Sequence, residues 1–143
     1  MVRRFEACMK AGNLKKVKAD PAIIAAELRE AENDLEVAGK SFRDGTDKWA
    51  LMQGHWSMLA AFRALLMMKG YEAKGVDCVK YAMDELYVKE RVFLPTVLEN
   101  FEVGREFQKG NDCLCVYDRD YVEEILAATR MILEKATELA KKA

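Results

Sequence analysis

Apolar residues recur along most of the chain at the three- and four-residue spacing of an α-helix. Asp20-Pro21 is typical of a helix start, because Asp caps free backbone amides and Pro fits the first turn, and Asp44-Gly45 is typical of an end. This pattern predicts a long amphipathic helix. Its apolar positions, spaced by 4, 3, 4, 3 and 4 residues, are Ile24, Leu28, Ala31, Leu35, Ala38 and Phe42.

The next segment, Trp49 to Met68, is apolar on nearly all sides, with 15 apolar residues among 20. Its uncharged stretch covers only 14 residues, and a membrane span needs about 20. We therefore expect the central helix of a soluble bundle, capped by Thr46 or Asp47 and ended by Gly70, and no membrane segment. Only a short turn connects this helix to the long amphipathic helix before it, which predicts that the two helices lie antiparallel.

Three further helices are predicted after Gly70, so the fold class is all-α: an up-and-down bundle of four or five helices forming a single domain over residues 1–143. The first is short, the second runs from near Pro95 to Gly110, and the last follows a cap at Asp118. Residues 71–75 and 111–117 are expected to be irregular. Residues 1–19 are expected to form a short basic arm or helix.

Charge is balanced overall but uneven along the chain. With 23 Lys and Arg against 24 Asp and Glu, the net charge is −1, which argues against a general nucleic-acid binder. Residues 1–18 carry six basic residues and one Glu, whereas residues 19–36 carry six acidic residues and one Arg. The basic stretch could bind phosphates; we favour its pairing with the acidic stretch that follows.

The four cysteines, at positions 8, 78, 113 and 115, fit neither a disulfide scaffold nor two Cys-x-x-Cys zinc pairs. We expect reduced thiols and a cytoplasmic protein, since the N-terminus lacks the apolar run of a signal peptide. Neither a metal nor a cofactor is expected. A metal or redox protein built on Cys113 and Cys115 is the least favoured class.

Two arginines fall where periodicity places an apolar residue. Arg63 continues the row of Trp49 and Trp56, and Arg105 follows Phe101 by four residues. A buried guanidinium needs a carboxylate, carbonyl oxygens or a cleft open to an anion, so both are candidates for binding a phosphate as well as for internal ion pairs. The single histidine, His55, is expected to be a hydrogen-bonded packing residue, because no catalytic partner lies one helical turn away.

Five segments, from Asn13–Val17 near the N-terminus to Lys69–Tyr71 after the central helix, share a characteristic order and length. In this they resemble the HEPN (higher eukaryotes and prokaryotes nucleotide-binding) domain, and the likeness extends over residues 13–141. The resemblance implies a helical bundle that usually dimerises around a cleft. It also implies, for active members, metal-independent cleavage of RNA, often by toxins paired with a minimal nucleotidyltransferase as antitoxin. The segments are Asn13–Val17, Ala31–Ala38, Asp47–Gln53, Ala61–Leu66 and Lys69–Tyr71.

The signature of active members is an Arg followed after four to six residues by a His. Arg105 matches the Arg, but Gly110, Asn111 and Asp112 stand where the His belongs. Without that imidazole a base for metal-free cleavage is missing. We therefore expect a catalytically silent HEPN protein that binds a nucleotide or RNA through Arg63, Arg105, Asn111 and Asp112.

Two alternatives remain open at this point. One is a dimeric interaction module for a nucleotidyltransferase partner with no ligand of its own, and the other is a divergent active endoribonuclease. The expected partners are a second copy of the chain, a minimal nucleotidyltransferase, and a nucleotide or RNA.

Overall fold

A computed structural model describes residues 4–110 and 118–142. This part of the chain contains six α-helices and one small two-stranded sheet, so the predicted all-α class is confirmed apart from two short strands. The elements are α1 (Arg4–Lys10), β1 (Leu14–Lys16), α2 (Pro21–Arg43), α3 (Asp47–Met68), β2 (Tyr71–Ala73), α4 (Val76–Met83) with a π-helical turn (Asp84–Val88), α5 (Thr96–Gln108) and α6 (Arg119–Lys142).

The long helices α2 and α3 begin and end where the sequence predicts. The Asp20 carboxylate accepts a hydrogen bond from the Ala22 amide (2.9 Å), and Pro21 opens the helix. The turn contains Gly45 with φ of 82°, a left-handed conformation that favours glycine. At the buried contact between the helices the Ser57 hydroxyl donates to the carbonyl oxygen of Ala31 (2.6 Å). The two helices therefore form the predicted antiparallel hairpin.

Helix α3 is the centre of the molecule, and 14 of its 22 residues are buried. Helix α6 packs on one side at Gly54, where a methyl group would approach Leu126 to 2.7 Å. Helix α5 packs on another side, where the rings of Phe62 and Phe101 lie 5.1 Å apart. The core thus positions α5 directly against the central helix.

The exposed side of α3 corrects the predicted inward stripe. Trp49 is 58% exposed, Trp56 is 37% exposed, and Arg63 is also exposed. The prediction was wrong because apolar residues occur on almost every side of α3, so periodicity could not identify its outer face. The side that packs on α2 uses small residues instead, such as Ser57 and Ala61.

Residues 4–16 fold onto the bundle, with α1 forming the helix that was one of the two predicted alternatives and β1 following it. Strand β1 pairs antiparallel with β2, with Lys15 opposite Glu72, although residues 71–75 were predicted to be irregular. A disulfide joins Cys8 on α1 to Cys78 on α4, so the prediction of reduced thiols is wrong for this pair. The pairing spans 70 residues and depends on the tertiary approach of two helices, which no local spacing reveals.

The expected pairing between the basic and acidic stretches is also wrong for the residues described. Glu32 of the acidic stretch instead forms an ion pair with Arg130 of α6 (3.0 Å). Arg4 of the basic stretch lies over the ring of Tyr81, 5.6 Å from its centre. None of the helices in the described part of the chain has the length and apolar character of a membrane span.

Candidate functional site

The candidate site lies where α5 packs against α3, around the only histidine of the chain. His55 on α3 contacts the ring of Phe101, with the ring centres 4.9 Å apart. It also lies directly on the backbone of α5 at Gly104, where a Cβ atom would be only 2.5 Å from the imidazole Nδ1. Glycine at position 104 is therefore what allows the imidazole to occupy this place.

His55 is 2% exposed, both ring nitrogens are buried, and the Gln108 side chain is a hydrogen-bonding neighbour of the ring, although their geometry falls short of a full hydrogen bond. The packing role predicted for His55 is confirmed, and Gln108 is the group that comes near to the expected hydrogen bond. Burial lowers the pKa of His55 to about 4, with the charge of Arg105 acting in the same direction and the Gln108 side chain acting against it. At neutral pH the imidazole is uncharged, and it can both donate and accept a hydrogen bond.

Arg105 follows Gly104 and carries the positive charge of the site. Its side chain is 23% exposed, and its Nε atom lies 3.6 Å from the Asp77 carboxylate on α4. The carboxylate side chain is itself 57% exposed, and the Nε atom is buried without a hydrogen bond. Arg105 thus faces a carboxylate through its Nε atom, which is one of the environments expected for it.

Arg63, the second candidate arginine, occupies a different place. It lines a cavity of about 320 Å³ between α2, α3 and β2, together with Glu27 and Glu72. Burial raises the pKa of Glu27, and the positive charge of Arg63 opposes that shift. No residue of α5 lines this cavity, so the structure does not bring the two predicted arginines into one site.

Asn111 and Asp112, the other predicted site residues, lie outside the described residues, as do Cys113 and Cys115. Within residues 4–110 and 118–142, no group of three or more His, Cys, Asp and Glu side chains could hold a metal ion. Sequence reasoning identified His55 as a packing residue but did not predict that it lies next to Arg105 across a helix contact. Gly104, a glycine inside a helical pattern and adjacent to a candidate arginine, was the one signal of a close approach there.

A comparison with protein families agrees with the helical bundle. A model of the HEPN domain matches residues 25–139. A search of curated proteins finds no match. The matched segment runs from early in α2 to the last turn of α6 and includes both His55 and Arg105. The chain belongs to the HEPN domain family.

Proposed function

We propose that this protein binds a nucleotide or RNA through Arg105, and that it does so without the Arg…His signature of the ribonucleases. The observation that carries the proposal is a partly exposed guanidinium, that of Arg105, next to the buried and neutral imidazole of His55. Arg105 supplies charge for a phosphate, and the buried His55 beside it contributes to a low-dielectric setting in which that charge acts more strongly. Membership in a nucleotide-binding family supports the same ligand class.

In the cell we propose that the protein acts as a homodimer within a toxin–antitoxin-like system, with a minimal nucleotidyltransferase as its partner. This part of the proposal rests on the family alone. The cytoplasm is the proposed location. A disulfide between Cys8 and Cys78 is uncommon in that compartment, so labelling of free thiols in intact cells would show whether the bridge forms there.

The ligand is tested by titrating the protein with nucleotides and with short single-stranded RNA in a calorimeter. We expect Arg105→Ala to weaken binding at least tenfold. Arg105→Lys should weaken it less, because lysine keeps the positive charge and loses only the planar guanidinium with its parallel donors. Lys109→Ala is the matched control: Lys109 is a basic residue at the end of the same helix, paired with Glu106 at 3.6 Å. Equal losses for Arg105→Ala and Lys109→Ala would indicate nonspecific attraction and contradict the proposal.

A divergent endoribonuclease is a second candidate, because His55 places an imidazole beside Arg105 from another helix. Incubation with mixed RNA distinguishes it from the silent protein. Cleavage that is lost in both Arg105→Ala and His55→Leu would establish the enzyme and overturn the silent interpretation. Binding without cleavage is the result that the first proposal predicts.

A further inference from the structure

The exposed face of α3 carries large apolar side chains that the core does not use. Trp49 is 58% exposed and Trp56 is 37% exposed, with the partly buried Met52 between them. Side chains of this size contribute most when they are removed from water, and tryptophan is enriched where proteins meet one another. We call the surface formed by Trp49, Met52, Trp56 and Arg63 the tryptophan face.

Helix α2 borders the tryptophan face along one side. The Ser41 hydroxyl donates to the Gln53 side chain at one end of this border (2.7 Å), and Glu27 lies beside Arg63 in the cavity at the other end. Between these points α2 presents Glu30 and Asp34. A border of carboxylates repels phosphates, so RNA is not the occupant that this face fits.

The spacing along α3 makes the tryptophan face complementary to itself. Trp49, Trp56 and Arg63 follow one another at intervals of seven residues, close to two full turns, so they lie in one row along the helix. If two such rows meet antiparallel about a two-fold axis through Trp56, each Trp49 faces Arg63 of the second copy. A guanidinium over an indole ring is a favourable contact, and the symmetry makes it twice.

We propose that a second copy of this chain covers the tryptophan face, with Trp56 on the axis and two Trp49–Arg63 contacts around it. The α2 carboxylates then lie at the rim, where water and salt screen them. The inference rests on the homodimer proposed above and names its surface; ligand binding by Arg105 is independent of it.

The test is the dimer dissociation constant, measured by sedimentation equilibrium. We expect the unmodified protein to be a dimer, and Trp56→Asp or Arg63→Glu to weaken it at least tenfold. Met131→Asp is the matched control, because Met131 is 70% exposed on α6 and lies outside the face. Circular dichroism checks that each variant remains helical.

Exchanging the two residues of the proposed contact, Trp49 and Arg63, makes the test specific to that contact. Trp49→Arg and Arg63→Trp should each weaken the dimer, whereas the double variant restores both contacts and should dimerise within about threefold of the unmodified protein. A dimer that is insensitive to Trp56→Asp would show that another face is used, and a double variant no better than the singles would exclude the proposed pairing. A protein that is monomeric throughout would refute the homodimer and this face together, and leave the ligand proposal unaffected.

Discussion

His55 is held uncharged between two helices, and two effects act in the same direction on it. Burial disfavours the imidazolium, and the guanidinium of Arg105 adds repulsion, so that the pKa falls to about 4. Hydrogen bonding by the Gln108 side chain acts in the opposite direction but does not outweigh the two effects.

The first prediction concerns pH. The unfolded chain protonates His55 near its ordinary pKa of 6.5, whereas the folded protein does so only near 4. The neutral imidazole therefore makes its full contribution to the free energy of unfolding above pH 6.5. As the pH falls towards 4 the free energy of unfolding decreases, by up to about 3 kcal/mol. Denaturant unfolding at several pH values measures the loss.

His55→Leu keeps the packing volume and should flatten this part of the pH profile. Burial raises the pKa values of Glu27 and Asp34, so their titration increases the free energy of unfolding as the pH falls. Both carboxylates are present in the unmodified protein and in His55→Leu, so their effect cancels in the comparison. An unchanged slope in His55→Leu would mean that the imidazole titrates normally in the folded state.

The second prediction concerns Gly104. Alanine favours the helix over glycine by about 1 kcal/mol. At position 104, however, its Cβ atom would overlap the imidazole ring of His55. We therefore expect Gly104→Ala to lower the free energy of unfolding by about 1–3 kcal/mol. Gly39→Ala on α2 is the control, since its Cβ would meet only the end of the flexible Arg43 side chain, at 3.4 Å. That variant should be neutral or stabilised by up to about 1 kcal/mol.

The same clash predicts a coupling between two positions. The ring is absent in His55→Ala. In that background Gly104→Ala should therefore lower the free energy of unfolding much less than it does in the unmodified protein. Thermal unfolding of the four proteins in this cycle measures the coupling. An additive result would show that His55 does not contact Gly104.

At the scale of elements, helix ends were the most predictable feature. Asp20 caps α2, and Asp118 accepts a hydrogen bond from the Asp120 amide (3.0 Å) at the start of α6, as predicted. Gly70 follows the end of α3 with φ of 79°. Such signals are local, because capping and left-handed turns depend on residues within one or two turns of the helix end.

Contacts between elements were less predictable. The pairing of β1 with β2 brings Leu14 opposite Ala73, and three-residue strands leave almost no periodicity to detect. The outer face of α3 and the approach of His55 to Arg105 both depend on which helix packs on which side. These are properties of the assembled bundle, so Arg105 was identified from the sequence while its neighbour was not.

The third prediction concerns the link between α1 and α4. The Cys8–Cys78 disulfide closes a long loop, so reducing it should lower stability by about 4 kcal/mol in the chain-entropy model. Cys8→Ser should show a similar loss and no further response of its melting temperature to a reductant. An equal melting temperature with and without reductant in the unmodified protein would contradict a structural role for the bridge.

At the scale of the whole molecule, the two candidate arginines lie in different places, and we propose different functions for them. Arg105 lies at the contact between α3, α4 and α5, beside His55, and is assigned to the ligand. Arg63 lies on the opposite border of α3, next to α2, and is assigned to the second copy of the chain. We therefore propose that the bundle binds its ligand and its partner through different sides of one central helix.

The central claim, that Arg105 and His55 form the ligand site, is tested most directly through the imidazole itself. Because the chain has one histidine, its ring gives a single set of NMR signals. Saturating nucleotide or single-stranded RNA should shift these signals in the unmodified protein and in Lys109→Ala, and leave them in place in Arg105→Ala. Saturated binding with His55 signals that do not move would contradict the account.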